Sequence, residues 1–139
     1  MRQTLVVQAK IAELTRVWTW ADALGQSFGL GQSTVYAIHL CLEEALSNIA
    51  RYAFDGGQAA DSNFVRLAAE RLDDAIVVTI EDHGIAFDPL AVTPPAPATT
   101  LLEAPEGGRG IPLMRHFSRH LAYERRDGAN RLTLRFGRT

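Results

Sequence analysis

The chain has 139 residues, 47% of them apolar, a net charge of −2 and a single cysteine, Cys41. That is one ordinary domain, 1–139, able to bury a core without disulfides or metal staples. The near-neutral charge gives no electrostatic footprint for nucleic acid or an anionic membrane, and no apolar run is long enough to span a bilayer or serve as a secretory leader, so a soluble cytoplasmic protein is expected.

Thr4–Ala9 is an apolar run suited to a strand. Ile11, Leu14, Trp18, Ala21 and Phe28 then recur at spacings of three, four or their sum, the period of a helix with one buried face. Gly29 and Gly31 end that helix, and Ser33 is the expected N-cap of the next. The second helix reads to about Phe54, with Val35, Ile38, Leu42, Ala45, Ile49 and Ala53 along its buried stripe. Cys41 falls within this helix, where a lone thiol acts as a small hydrophobe.

After the turn "DGGQAADSN", the spacing predicts strands at Phe64–Arg71 and Ala75–Glu81, joined by Leu72-Asp73-Asp74. The segment Ala91–Glu106 is different in kind. Five of the six prolines lie between Pro89 and Pro105, which excludes a helix or a paired strand and leaves a long loop. A short helix from about Ile111 to Phe117 and a hairpin, Leu121–Arg126 and Asn130–Phe136 about Asp127-Gly128, close the chain. Leu132, Leu134 and Phe136 are expected to face the core. The order predicts an α+β sandwich, an antiparallel or mixed sheet with helices on one face.

Three segments carry chemistry. On the second helix, Glu44, Asn48 and Arg51 follow at spacings of four and three, so they share a face away from the apolar stripe. A carboxylate and an amide oxygen placed so can orient a hydroxyl and ligate magnesium, although a solvated face is the ordinary explanation of such residues taken alone. The second segment is "VTIEDHGIAFDPL", in which Asp82 ends a strand and Gly84 permits close approach of a ligand. A carboxylate there can accept from an exocyclic amino group such as that of adenine. A plain strand-ending turn is the alternative. In the third, "EGGRGIPLMRHF", Gly107, Gly108 and Gly110 precede a helix whose free N–H groups can face an anion. It lacks the Lys-Ser/Thr of a P-loop, and Leu113 stands where a dinucleotide fingerprint needs its third glycine.

Taken in order, E-x-x-x-N, strand-D-x-G-x-x-F-D-P, a variable loop and G-G-x-G-hydrophobic-x-L-M resemble the nucleotide-binding boxes of the Bergerat-fold superfamily of gyrase, MutL and the histidine kinases. Within it the chain resembles the small stand-alone anti-sigma factor serine/threonine kinases, over nearly its whole length from Thr4 to Phe136. The resemblance implies a two-layer α/β sandwich with a mixed, mostly antiparallel sheet, and ATP with magnesium as cofactors. Asn48 would then hold the magnesium, and Glu44 would act as the catalytic base or orient an attacking hydroxyl. Asp82 would take the adenine amino group beside Gly84 and Phe87. Gly107, Gly108 and Gly110 would wrap the phosphates, with Arg51, Arg109, Leu113 and Met114 near the nucleotide and Ala91–Glu106 as an ATP lid. The implied partners are an anti-sigma-factor antagonist domain, as substrate, and a sigma factor, with a homodimer left open. A non-catalytic nucleotide-dependent switch that selects its partner uses the same pocket and is the alternative.

Several positions depart from the superfamily pattern. Ala86 replaces a second glycine, and "ANRLTL" stands where relatives often carry adjacent threonines near adenine, so that contact is not transferred. His116 and His120 are four apart but lack a third ligand, and His83 receives no role. Trp18 is expected in the core and Trp20 on the surface, as a candidate partner contact.

Overall fold

A computed structural model describes residues 1–53, 63–86 and 113–138. Strand β1 (Arg2–Gln8) leads through a single 3-10 turn (Ile11–Glu13) into helix α1 (Leu14–Phe28) and then helix α2 (Gln32–Asn48). Strands β2 (Phe64–Arg71) and β3 (Ala75–Asp82) follow. Residues 113–117 are helical, and β4 (His120–Arg126) and β5 (Ala129–Gly137) form the closing hairpin. The five strands lie in the order β1-β2-β3-β5-β4, and each neighbouring pair is antiparallel. The sheet is therefore antiparallel throughout these strands, not mixed.

Period-two alternation divides the sheet into two faces. Val65, Leu67, Ile76, Val78, Ile80, Leu132, Leu134 and Phe136 are buried on one side, against Val17, Leu24, Phe28, Ile38 and Leu42 of the helices. On the other side, Arg66, Glu81, Arg131 and Glu124 stand opposite one another in consecutive register across four strands, with Arg131 Nη2 3.2 Å from Glu81 Oε2. Opposite charges directly across a ladder are favourable, and such a row suits solvent. This is why the helices collect on one layer only.

The turns do what their residues dictate. Gly29 caps α1 at φ 65°, a left-handed conformation that glycine adopts without penalty. In the β4–β5 hairpin, Asp127 and Gly128 have φ 53° and 78°, the pair of positive values of a type I′ turn. At the entry to α1, the Glu13 carboxylate accepts from the Gln8 backbone N–H at 2.9 Å, which together with Arg16 holds its pKa below the ordinary carboxylate range.

Four sequence expectations shift. The first strand is Arg2–Gln8 instead of Thr4–Ala9, and Ile11, assigned to the buried stripe, is half exposed in the 3-10 turn. Ser33 is not the N-cap: α2 begins one residue earlier, behind Gly31, whose own N–H is bonded to the Arg138 carbonyl. The α2 helix stops at Asn48 and gives way to a π-helical turn, Ile49–Ala53, rather than running on regularly towards Phe54, which lies outside the described residues. Trp20, not Trp18, is the buried tryptophan, because it stands three residues after Val17 and four before Leu24 on the face that those residues bury; Trp18 packs half-buried at its margin. Trp20 is thereby removed as a partner contact.

Two predictions follow from the packing. A Cβ built on Gly25 would lie 2.6 Å from Val35 Cγ2, so α1 and α2 meet there with no room for a methyl group. Gly25→Ala is expected to destabilise by roughly 1–3 kcal/mol through overpacking, against a helix-propensity gain of about 1 kcal/mol. Adding Val35→Ala relieves the clash, so urea melts of the double variant show a smaller loss than the two singles summed. Cys41 is fully buried, and burial, reinforced by the Glu44 charge, pushes its thiol up to about 12. A chromogenic disulfide reagent at pH 8 is expected to leave it untouched in the folded protein and to react fully after denaturation.

Candidate functional site

The last turn of α2 carries Glu44 and Asn48. They do not lie on a solvated face: Asn48 is only 8% exposed and Glu44 is half-buried. The helix geometry gives the reason. Asn48 sits three residues beyond buried Ala45 and two beyond buried Leu46, at the margin of the core stripe. A buried amide is unusual unless it has polar work, so the ordinary explanation for this pair is weakened. Arg51, one turn further, is exposed and belongs to the π-helical turn.

A second polar centre forms where β3 ends. Asp82 is 4% exposed, and its Oδ1 accepts from the Gly84 backbone N–H at 2.9 Å and from Asn130 Nδ2 at 3.0 Å. The first bond closes a tight turn that glycine favours, and it brings Gly84 against the carboxylate, as the strand-Asp-x-Gly pattern implies. Asn130 comes from β5, directly opposite Asp82 in the β3–β5 register. Its Nδ2 also donates to the Ile85 carbonyl at 2.7 Å, and its Oδ1 accepts from Tyr123 Oη and from Arg125 Nη1 at 3.1 Å. Arg125 Nη1 donates in addition to the Gly84 carbonyl at 2.8 Å. Burial raises the pKa of Asp82 above the ordinary carboxylate range, partly offset by the Asn130 and Gly84 hydrogen bonds and by the nearby Arg125 guanidinium.

Both centres can be located from one corner of the fold. At that corner, Thr34 Oγ1 near the start of α2 donates to the Gly137 carbonyl at 2.7 Å, and Gly137 is paired with Ala75 at the start of β3. Asp82 closes β3, seven residues or roughly 23 Å along the strand. Asn48 closes α2, fourteen residues or roughly 21 Å along the helix.

The remaining site residues divide. Leu113 and Met114 lie in the helical turn, with Leu113 half-buried and Met114 built into the core at 1% exposed. Phe87, Gly107, Gly108, Arg109, Gly110 and the loop Ala91–Glu106 lie outside the described residues. His116 and His120 are exposed, and no group of three or more metal-ligating His, Cys, Asp or Glu side chains occurs among the described residues. Asn130 was missed as a site residue. A reading of the hairpin alone pairs it with Arg125, but only the long-range β3–β5 register sets it against Asp82.

The family model for the histidine kinase-like ATPase domain matches residues 7–136. The chain belongs to that family. It is 40% identical over 99 residues to the serine/threonine-protein kinase BtrW of Bordetella bronchiseptica, covering 71% of this chain and 68% of the relative. Among solved structures it is similar to the RsbU and RsbW domains of Rv1364c from Mycobacterium tuberculosis, with a TM-score of 0.67 at 13% identity over 98% of this chain, although it spans only 32% of that chain. It is similar also to the Acinetobacter baumannii histidine kinase AdeS, with a TM-score of 0.50 at 13% identity over 99% of this chain and 68% of the other. These structural likenesses establish the fold, a one-sided α+β sandwich. The 40% relationship makes the chain a kinase-type ATPase domain.

The buried Asp82 carries a stability cost. Because its pKa is raised on folding, the ionised form disfavours the fold, and that penalty is present above the folded pKa and absent below the unfolded one. Asp82→Asn keeps an oxygen for the Gly84 N–H and removes the charge. The nucleotide-free variant is expected to melt above wild type at neutral pH, with the gap closing as pH falls below the ordinary carboxylate range; thermal melts across that range check it.

Proposed function

We propose that the protein is an anti-sigma regulatory factor that binds ATP with magnesium and phosphorylates a serine or threonine of a small anti-sigma-factor antagonist domain, as well as sequestering a sigma factor. The observation that carries this reading is the half-buried Glu44 one turn before the buried Asn48, at the end of a helix whose other end is latched to the sheet. The kinase name of the 40% identical relative supports it.

In this reading Asp82 receives the exocyclic amino group of adenine, with Gly84 giving the ring close approach and Phe87 beside it. The N–H groups of Gly107, Gly108 and Gly110 surround the phosphates, with Arg109 and Arg51 adding positive charge. Leu113 and Met114, in the first turn of the helix that follows the glycines, lie near the nucleotide. The donors present suit magnesium: the Asn48 amide oxygen is a hard ligand withdrawn from water, and this ion is commonly bound by one or two side chains plus substrate phosphates. When bound, it neutralises phosphate charge. Glu44 accepts the proton of the attacking hydroxyl or orients it. Phosphoryl transfer passes through a loose transition state that asks mainly for positioning and charge stabilisation, so this small set of residues is sufficient.

The test combines labelled ATP, magnesium and the antagonist domain. Glu44→Gln is expected to reduce transfer by about 10²-fold or more while ATP still binds. Asn48→Ala is expected to weaken magnesium-dependent ATP binding by about tenfold or more in isothermal titration. Tight ATP binding with no transfer to the antagonist in wild type removes the kinase reading and leaves a nucleotide-dependent binding switch.

A further inference from the structure

The polar cluster around Asn130 is larger than a strand end needs. An amide side chain has two N–H donors and two oxygen lone pairs. The Asn130 N–H groups go to Asp82 Oδ1 and the Ile85 carbonyl, and its oxygen receives Tyr123 Oη and Arg125 Nη1. The amide can face only one way. A guanidinium can only donate and a carbonyl can only accept, so turning the amide over would break both of those contacts. Three strands and the turn after β3 are joined through this one side chain, which is 6% exposed.

We propose that Asn130 is a positioning residue for nucleobase recognition: its amide fixes Asp82 through Oδ1 and holds the Gly84–Ile85 backbone, so that Asp82 Oδ2 is the oxygen presented to the ligand. The proposal rests on Asp82 being the adenine acceptor. Both donors described on the carboxylate, from Gly84 and Asn130, fall on Oδ1. Arg125 closes the other side of the same turn by donating to the Gly84 carbonyl. The turn that must admit the base is thus held from below by β4 and β5, and none of these side chains needs to touch the ligand. An exocyclic amino group donates best to an ionised carboxylate. Favouring the ionised form of Asp82 in a buried position is the second effect of the Asn130 N–H, alongside the Gly84 N–H, the positive charge of Arg125 from β4 and the imidazole of His83 beside it.

The experiment uses the full chain and two readouts, the titration of the ¹³C-labelled Asp82 carboxyl without nucleotide and ATP affinity as a function of pH. In Asn130→Ala the carboxyl is expected to titrate at higher pH than in wild type, because a donor to the charged form is gone. ATP affinity falls by about tenfold near neutrality, and its acid limb moves to higher pH with the carboxyl. Asn130→Asp is expected to behave in the opposite sense, binding poorly at neutral pH, where two carboxylates oppose each other, and improving on acidification as they share a proton. Tyr123→Phe removes the hydroxyl donor to Asn130 and supplies the same measurement, in milder form, if Asn130→Ala fails to fold. An unchanged Asp82 titration in these variants overturns the proposal, and so does a loss of ATP affinity that is uniform across pH. Wild-type protein that binds no ATP overturns the adenine reading instead, and the carboxyl titration still decides whether Asn130 controls Asp82.

Discussion

The pairing of β3 with β5 is the constraint on which the rest depends. It joins the central strand to the closing hairpin over the full run from Ala75↔Gly137 to Asp82↔Asn130. A slip of one residue would turn Ile76, Val78 and Ile80 to solvent and bring Thr79 and Glu81 into the core, so the register is specified by burial along its whole length. The same register determines both ends of the sheet. At one end it presents the Gly137 carbonyl to Thr34 on α2, and at the other it sets an amide against a carboxylate.

These two ends differ in how they are held. At the Gly137 end the carbonyl accepts from Thr34, the Arg119 guanidinium lies against the glycine, and Arg138 donates to the Asp73 carbonyl. The Asp82 end gathers buried Asp82 and Asn130 with half-buried Tyr123 and the exposed Arg125, and for the buried pair a partly satisfied network costs more than an apolar one of the same shape. A fold selected for stability alone would fill that end with hydrocarbon. The polarity concentrated there, with the buried amide of Asn48 at the end of α2, is the chemistry on which the proposed nucleotide site rests.

The sequence was most legible where a period and a punctuation mark agreed. The alternation of Ile76, Val78 and Ile80, and the Asp127-Gly128 turn between two apolar runs, predicted strands within a residue or two of those observed. Ordered motifs likewise gave the family, because three short patterns in fixed sequence order are far more specific than one. The misses share a cause. Trp18 and Trp20 both fit a helix, and only the packed position of α1 decides which of them faces the sheet. Asn48 looked solvent-facing because the polar side of a helical wheel says nothing about what covers it. Asn130 was invisible for the same reason, since its partner is 48 residues away and no local pattern reports a long-range register.

The latch between Thr34 and Gly137 spans 103 positions of the chain. During synthesis the α1–α2 hairpin emerges early and can form on local contacts, but the sheet face it packs on, built from β2, β3 and β5, is complete only once β5 has emerged. The longest closure, Thr34 to the Gly137 carbonyl, therefore comes last, and the start of the helix bearing Glu44 and Asn48 is latched to the sheet only when β5 is in place. Nascent chains carrying the helices but not yet β5 would expose the apolar stripe of Ile38, Leu42 and Ala45, the surface a chaperone would meet first.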